Sequence, residues 1–164
     1  MKKGEFTANG ADDVEFLIAT NSGDELKPMT KIASGGEMSR IMLAIKSVLS
    51  DTDPVPTMIF DEIDTGVSGI AAQRGGEKLY SVSGGKQVMC VTHLPQIAAM
   101  ADSHYLIAKQ ERDGRTFTDV SRLDFEGRCR ELARLHGGDH ITEITLASAK
   151  EQLHAADEIK NTIR

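Results

Sequence analysis

No stretch of this sequence approaches the roughly 18 consecutive apolar residues that a membrane-spanning helix needs. The opening Met1-Lys2-Lys3-Gly4 has the charge of a secretory leader, but polar and charged residues follow where an apolar core would have to stand. The chain is therefore expected to be neither exported nor membrane-spanning, and to reside in the cytoplasm. Cysteine is scarce too: Cys90 lies in an apolar run and Cys129 in a predicted helix, without metal-ligand spacing, so a reduced protein without a disulfide is expected. His104, His136, His140 and His154 share no ligand spacing, which leaves no zinc-type site. Positive charge is not in surplus either, since 25 acidic against 19 basic side chains give a formal charge of −6. That balance argues against a sequence-independent nucleic-acid surface. The most basic stretch, Lys109 to Arg134, interleaves seven Lys or Arg with six Asp or Glu and is read as solvated faces. There is no internal repeat and no low-complexity segment, and 164 residues suffice for one domain with its own core, so residues 1–164 are taken as a single domain. One absence bears on chemistry: no G-x-x-x-x-G-K-[ST] phosphate loop is present. The nearest candidate, Gly84-Gly85-Lys86-Gln87, lacks the leading glycine and the hydroxyl residue.

What is present centres on Thr57-Met58-Ile59-Phe60-Asp61-Glu62, a short apolar strand ending in two adjacent carboxylates. A helix precedes it: Met38, Ile41, Met42, Ile45, Val48 and Leu49 recur at helical spacing and predict one apolar face packed on a sheet. Pro54 and Pro56, with Asp51, break that helix and hold an extended lead into the strand. A loop and a helix over about 70–81 follow, with Gly75-Gly76 awkward inside it. Val88 to Val91 is a second wholly apolar run, and Pro95 suits the first turn of a helix through Ala101. The order strand, helix, strand, helix predicts a mainly parallel sheet. Tyr105–Ala108 and Thr116–Leu123, joined through Asp113-Gly114, predict an added antiparallel hairpin. Helices are expected over about 126–136, stopped by Gly137-Gly138, and over about 142–160. Upstream, Val14–Thr20 reads as a strand ending in the turn Asn21-Ser22-Gly23-Asp24, with a loop carrying Pro28 after it.

Ligands of parallel sheets collect at the carboxyl ends of the strands, so Asp61 and His93 are expected to face one pocket. Magnesium prefers a carboxylate together with water and phosphate oxygens, which makes Asp61 the metal-side residue, acting through a bound water. Glu62 would orient or deprotonate an attacking water. Capping of the next loop is the plain alternative for both acids. Ser34-x-x-Glu37 is a capping box, and Gly35-Gly36 would also let a phosphate approach bare amides at a helix N-terminus. His93 is either a polar cap or a donor to a terminal phosphate. Asp64 and Thr65 can be ordinary turn formers. Together these residues read as half of a nucleotide-hydrolysing site.

In order, ASGGEMSR at 33–40, TMIFDEIDTGVSG at 57–69 and VMCVTHLPQIAAMADSHYLI at 88–107 closely resemble the RecN family, bacterial DNA-repair ATPases related to SMC proteins. The match runs from about Phe6 to beyond Leu153. Transporter-type ABC domains resemble the chain at the serine-glycine-glycine, acidic-pair and histidine positions, whereas Asp61 to Gly66, Thr92 to Gln96 and Ala33 look like RecN; Ile70 and Gly75-Gly76 fit least well. The resemblance implies an α/β fold, a partial P-loop NTPase of the ABC type: the C-terminal lobe of an ATPase head, cut from an artificial start. By position it implies a signature motif at Ser34, Gly35, Gly36 and Glu37 and a Walker B strand ending at Asp61. It further implies a catalytic Glu62, a D-loop containing Asp64 and a switch histidine at His93. Its implied cofactors are ATP and Mg2+. Its implied partners are the N-terminal lobe carrying the phosphate loop, a second head joined by ATP into a homodimer, and DNA, through the full-length protein. ATP hydrolysis would then belong to the whole protein and not to this fragment. Other SMC or ABC heads, and a non-catalytic α/β interaction module, are the alternatives.

Overall fold

The computed structural model describes residues 2–8, 10–19, 23–31, 34–50 and 52–163, with the backbone alone described for 2–5. Two small antiparallel pairs come first: β1 (Lys2–Thr7) with β2 (Gly10–Asp13), and β3 (Leu17–Ile18) with β4 (Lys27–Pro28). The first pair has no counterpart in the sequence reading, since KKGEFT and GADD carry almost no apolar alternation. The strand expected over 14–20 contracts to two residues because its apolar side chains gain little cover: Val14, Phe16 and Leu17 remain exposed. Its expected end, Thr20 with Asn21 and Ser22 of the turn, lies outside the described residues, as do Met1, Ala33 and Asp51. Pro28, expected in a loop, sits in β4, where a strand at the edge of a pair tolerates the missing N–H.

Helix α1 (Gly35–Val48) begins as expected, with Ser34 Oγ accepting from the Glu37 amide at 3.4 Å. Its inward face differs from the one that periodicity indicates. Gly36 and Leu43 are buried, whereas Ile45, Val48 and Leu49 are exposed, Val48 at 84%. The cause is polar: Ser39 and Arg40 bond the loop after the next strand, which rolls the line through Gly36, Arg40 and Leu43 toward the protein. Leu43 still packs with Met58 and Phe60. Lys46 pairs with Asp53, and Lys86 Nζ donates to Val55 O at 2.9 Å, so two lysines fasten the proline-rich approach to β5 (Thr57–Phe60).

β5 pairs in parallel with β6 (Gln87–Cys90), Met58 opposite Val88 and Phe60 opposite Cys90. The crossover is α2 (Gly69–Val82), and α3 (Pro95–Ala99) opens on its proline as the sequence indicates. β7 (Tyr105–Arg112) and β8 (Arg115–Arg122) form the expected hairpin. Its turn residues Asp113 and Gly114 both take positive φ, 52° and 70°, the twist that suits a two-residue connection. α4 (Phe125–Gly137) is capped by Asp124, which accepts from the Gly127 amide at 2.8 Å, and α5 (Glu143–Ile163) closes the chain. The expected mainly parallel sheet is corrected: the described residues hold one parallel pair and three antiparallel ones. The fold is mixed α/β with small sheets. None of the described helices is long and apolar enough to cross a membrane.

Two apolar clusters share α2 and α3. One gathers Leu43, Phe60, Ile63, Leu79 and Ile97; the other gathers Tyr80, Ala99, Cys129, Leu132 and Leu153 under α4 and α5. Gly76 explains why a glycine pair is tolerated within α2. A methyl there would meet Met100 Cγ at 3.0 Å, Gln96 O at 3.3 Å and Ile97 Cα at 3.4 Å, so the glycine lets α2 and α3 cross closely. Gly75 has nothing within 4 Å of the same position. Gly75→Ala is therefore expected to stabilise the chain by about 1 kcal/mol through helix propensity, and Gly76→Ala to destabilise it by about 1–3 kcal/mol through overpacking against backbone. Urea unfolding of the two variants checks the opposite signs.

Candidate functional site

Parallel pairing in register makes the chain leave β5 and β6 at the same end, and Val91 N donates to Phe60 O at 3.0 Å as the last rung. Asp61 is exposed there, and its Oδ1 accepts from the Glu62 amide at 2.8 Å. Glu62 takes a left-handed backbone, φ 57°, and its carbonyl accepts from Thr65 N at 3.0 Å, so the loop folds back at once. Asp64 is only 3% exposed. Its Oδ2 accepts from Thr92 Oγ1 and from the His93 amide at 2.7 Å each, and the His93 ring approaches the same oxygen with Nδ1 2.9 Å away. The loops that follow the two strands are thus joined at one carboxylate.

The start of α1 is held against the same loop. Ser39 Oγ donates to Asp61 O at 2.7 Å, and Arg40 Nη1 donates to Ile63 O at 3.2 Å and Thr65 O at 2.7 Å. A methyl on Gly36 would lie 2.8 Å from Glu62 O and 2.9 Å from Thr65 Cβ; one on Gly35 would collide with Glu62 Oε2. The Glu62 carboxylate therefore rests over the first turn of α1, where the helix dipole favours negative charge. Segments 34–37, 61–65 and 92–93, separate in sequence, meet at one place. Ser34 and Glu37 are half-buried, Gly36 is buried, and Gly35, Asp61, Glu62 and the His93 ring reach solvent. Asp64, expected among the ligand-contacting residues, instead turns inward to the Thr92-His93 corner. Gly36 has a packing reason of its own, the close passage of α1 over residues 62–65.

Ser39 and Arg40 escape the sequence reading as site residues. The one available signal is an arginine standing between the apolar Met38 and Ile41 near the start of the helix. Lys86, in the glycine-rich stretch nearest to a phosphate loop, precedes β6 and bonds Val55 O, at the opposite end of the pair from Asp61. Beside the site, Met38, Met42 and Lys46 of α1 and Val55, Ile59 and Phe60 line a groove of about 310 Å³.

The electrostatics follow from these contacts. Burial alone would push the Asp64 carboxyl up, but the Thr92 hydroxyl, the His93 amide and the His93 ring outweigh it and hold the group below the ordinary carboxylate value. Burial first, then the nearby Asp64 and Asp61 carboxylates, push the Cys90 thiol up to about 12. Burial likewise raises Cys129. Both thiols are free and held protonated, so neither should react with Ellman's reagent at neutral pH until urea unfolds the chain, when two per molecule should react. Among the described residues no three His, Cys, Asp or Glu side chains cluster as metal ligands. Asp61 is exposed, with Oδ1 engaged by the Glu62 amide.

No family model matches the chain. DNA repair protein RecN of Bacillus subtilis is 52% identical over 158 residues, which are 96% of this chain and 27% of that protein. RecN of Vibrio cholerae is 49% identical over 147 residues, 90% of this chain and 26% of that protein. RecN of Streptomyces coelicolor is 46% identical over 148 residues, again 90% and 26%. A solved chain from work on ATP-driven dimerization and DNA-stimulated activation of SMC ATPases aligns over 76% of this chain and 81% of its own, with 24% identity and a TM-score of 0.49. The sequence spans about a quarter of the length of the relatives it matches. In the part that it spans, the chain belongs to the RecN family of DNA repair proteins.

Proposed function

We propose that this chain is the C-terminal lobe of a RecN ATPase head, one domain over 1–164, and that the whole protein converts ATP and water to ADP and phosphate while acting at DNA double-strand breaks. The observation that carries the reading is that the loops bearing Asp61, Glu62 and His93 leave the same end of a parallel strand pair and are joined through Asp64, with the first turn of α1 lying against residues 62–65. Asp61 would hold the water shell of Mg2+, the ion supplying charge neutralisation on the phosphates. Glu62 would take a proton from the attacking water, and His93 would donate to the terminal phosphate. Ser34, Gly35, Gly36 and Glu37 would present amides to the phosphates of a nucleotide held by a second head, so that ATP joins two heads and its hydrolysis frees them.

The uncovered surfaces support an incomplete lobe. Ile59 and Met89 lie opposite each other on the parallel pair and are 70% and 52% exposed, while Met58 and Phe60 on the other face are buried. Parallel strands are normally covered on both faces. Ile59 and Met89 thus leave one face of the pair apolar and uncovered, a surface suited to the N-terminal lobe of the same protein. The isolated chain, lacking the amide cradle and lysine of a phosphate loop, should neither bind ATP tightly nor hydrolyse it. Co-expression with the N-terminal lobe of a RecN relative should restore both. A stable complex that still binds no ATP would instead favour a non-catalytic interaction module, and strong turnover by the chain alone would contradict the assignment. DNA engagement is assigned to the full-length protein, in keeping with the acidic balance of this segment.

A further inference from the structure

His93 is anchored at one ring nitrogen and free at the other. Nδ1 lies 2.9 Å from Asp64 Oδ2, and the side chain is otherwise 71% exposed. The anchor is itself immobile. Asp64 is 3% exposed, the same Oδ2 receives the His93 amide and the Thr92 hydroxyl at 2.7 Å each, and Thr92 Oγ1 accepts from Leu94 N at 3.1 Å. The backbone and the ring of one residue are therefore fixed by a single buried oxygen. A carboxylate only accepts, so the ring nitrogen facing it must carry a proton. A neutral ring then has its hydrogen on Nδ1 and a bare Nε2, and a further proton can be received only at Nε2.

Resting on the nucleotide reading above, we infer that Asp64 is the positioning residue of His93: it holds the proton on Nδ1 and turns Nε2 alone toward the terminal phosphate, to which Nε2 donates once it has received a proton and the ring is cationic. The resemblance implies a nucleotide-binding role for Asp64; on the present reading it stands one layer behind, acting through the histidine. Fixing the second nitrogen in this way is how outer partners orient histidine in metal sites and hydrolases. The arrangement also separates two duties of the acidic loop. Asp61 and Glu62 are exposed and available to ion and water, whereas Asp64 is withdrawn from both.

Long-range ¹H–¹⁵N spectra of the 164-residue chain, with the His93 ring assigned by its loss in His93→Gln, read the tautomer directly. The neutral ring is expected with its proton on Nδ1. Asp64→Ala should shift the majority to Nε2, and Asp64→Asn, whose amide oxygen can receive the same three donors, should restore Nδ1. Thr92→Val removes a bond to the same carboxylate and should lower stability without moving the tautomer, which a merely structural role of Asp64 would not distinguish. A majority of Nε2-protonated ring in the unaltered chain overturns the inference, and that measurement stands even if Asp64→Ala fails to fold. With the N-terminal lobe supplied, Asp64→Ala should cut ATP turnover about 10- to 100-fold and Asp64→Asn far less. Absence of turnover from the unaltered, reassembled protein would sink the nucleotide reading while the tautomer result still decided the anchoring.

Discussion

Glu62→Gln, in the chain reassembled with the N-terminal lobe, is expected to lower ATP turnover by about 10²- to 10⁴-fold and to leave ATP-dependent association of two heads intact. Glutamine has the same reach and can still hydrogen-bond a water, but it cannot accept the water's proton, so the loss falls on the chemical step. The substitution keeps the length and shape of an exposed side chain that lies over Gly35, so the backbone of residues 34–37 and the Asp64 anchor should stay in place. Association should even be prolonged, since the nucleotide that joins the heads is no longer consumed. Phosphate release measures the first effect and light scattering with ATP the second. A drop smaller than about tenfold would remove Glu62 from the role of base, tenfold being only about 1.4 kcal/mol of barrier.

Gly36→Ala is expected to destabilise the chain by about 1–3 kcal/mol, against a gain of at most about 1 kcal/mol from helix propensity. The added methyl would sit 2.8 Å from Glu62 O and 3.1 Å from Thr65 O, and neither backbone oxygen can move without breaking the turn that Glu62 closes. The urea midpoint should fall by roughly 0.5–1.5 M, taking a slope near 2 kcal/mol per M. Gly35→Ala is the control. There the methyl meets only the end of the Glu62 side chain, which can swing away, so stability should hold. Equal losses at the two positions would mean that α1 does not lie against residues 62–65 as described.

The parts legible in the sequence are those with local causes. A threonine and three consecutive apolar residues bounded by prolines and acids specify β5, Asp113-Gly114 specifies the hairpin, and Ser34 and Pro95 mark helix starts because each answers an unsatisfied or missing backbone N–H. The inward face of α1 was not legible, because periodicity reports where apolar side chains lie and not which surface is present to cover them. Val48 and Leu49 follow the pattern faithfully and remain exposed. Asp64 was legible as a carboxylate near the site but not in its direction, since an acid after a strand reads the same whether it faces solvent or a neighbouring loop. Its partners Thr92 and His93 stand 28 and 29 residues away, beyond any local signal. Gly36 reads in the sequence as a bare amide, and only coordinates expose its other demand, the close passage of α1 over residues 62–65.

Ser39, Arg40 and Asp64 together leave little slack between the tip of α1, the acidic loop and the histidine corner. A push delivered at Gly35 arrives at Ile63 and Thr65 through one guanidinium, and crosses from there to Thr92 through one carboxylate. Such a linkage behaves as a stiff rocker and not as a set of independent fingers. Whatever presses on the helix tip from outside would tilt the acidic loop and the His93 ring in the same stroke.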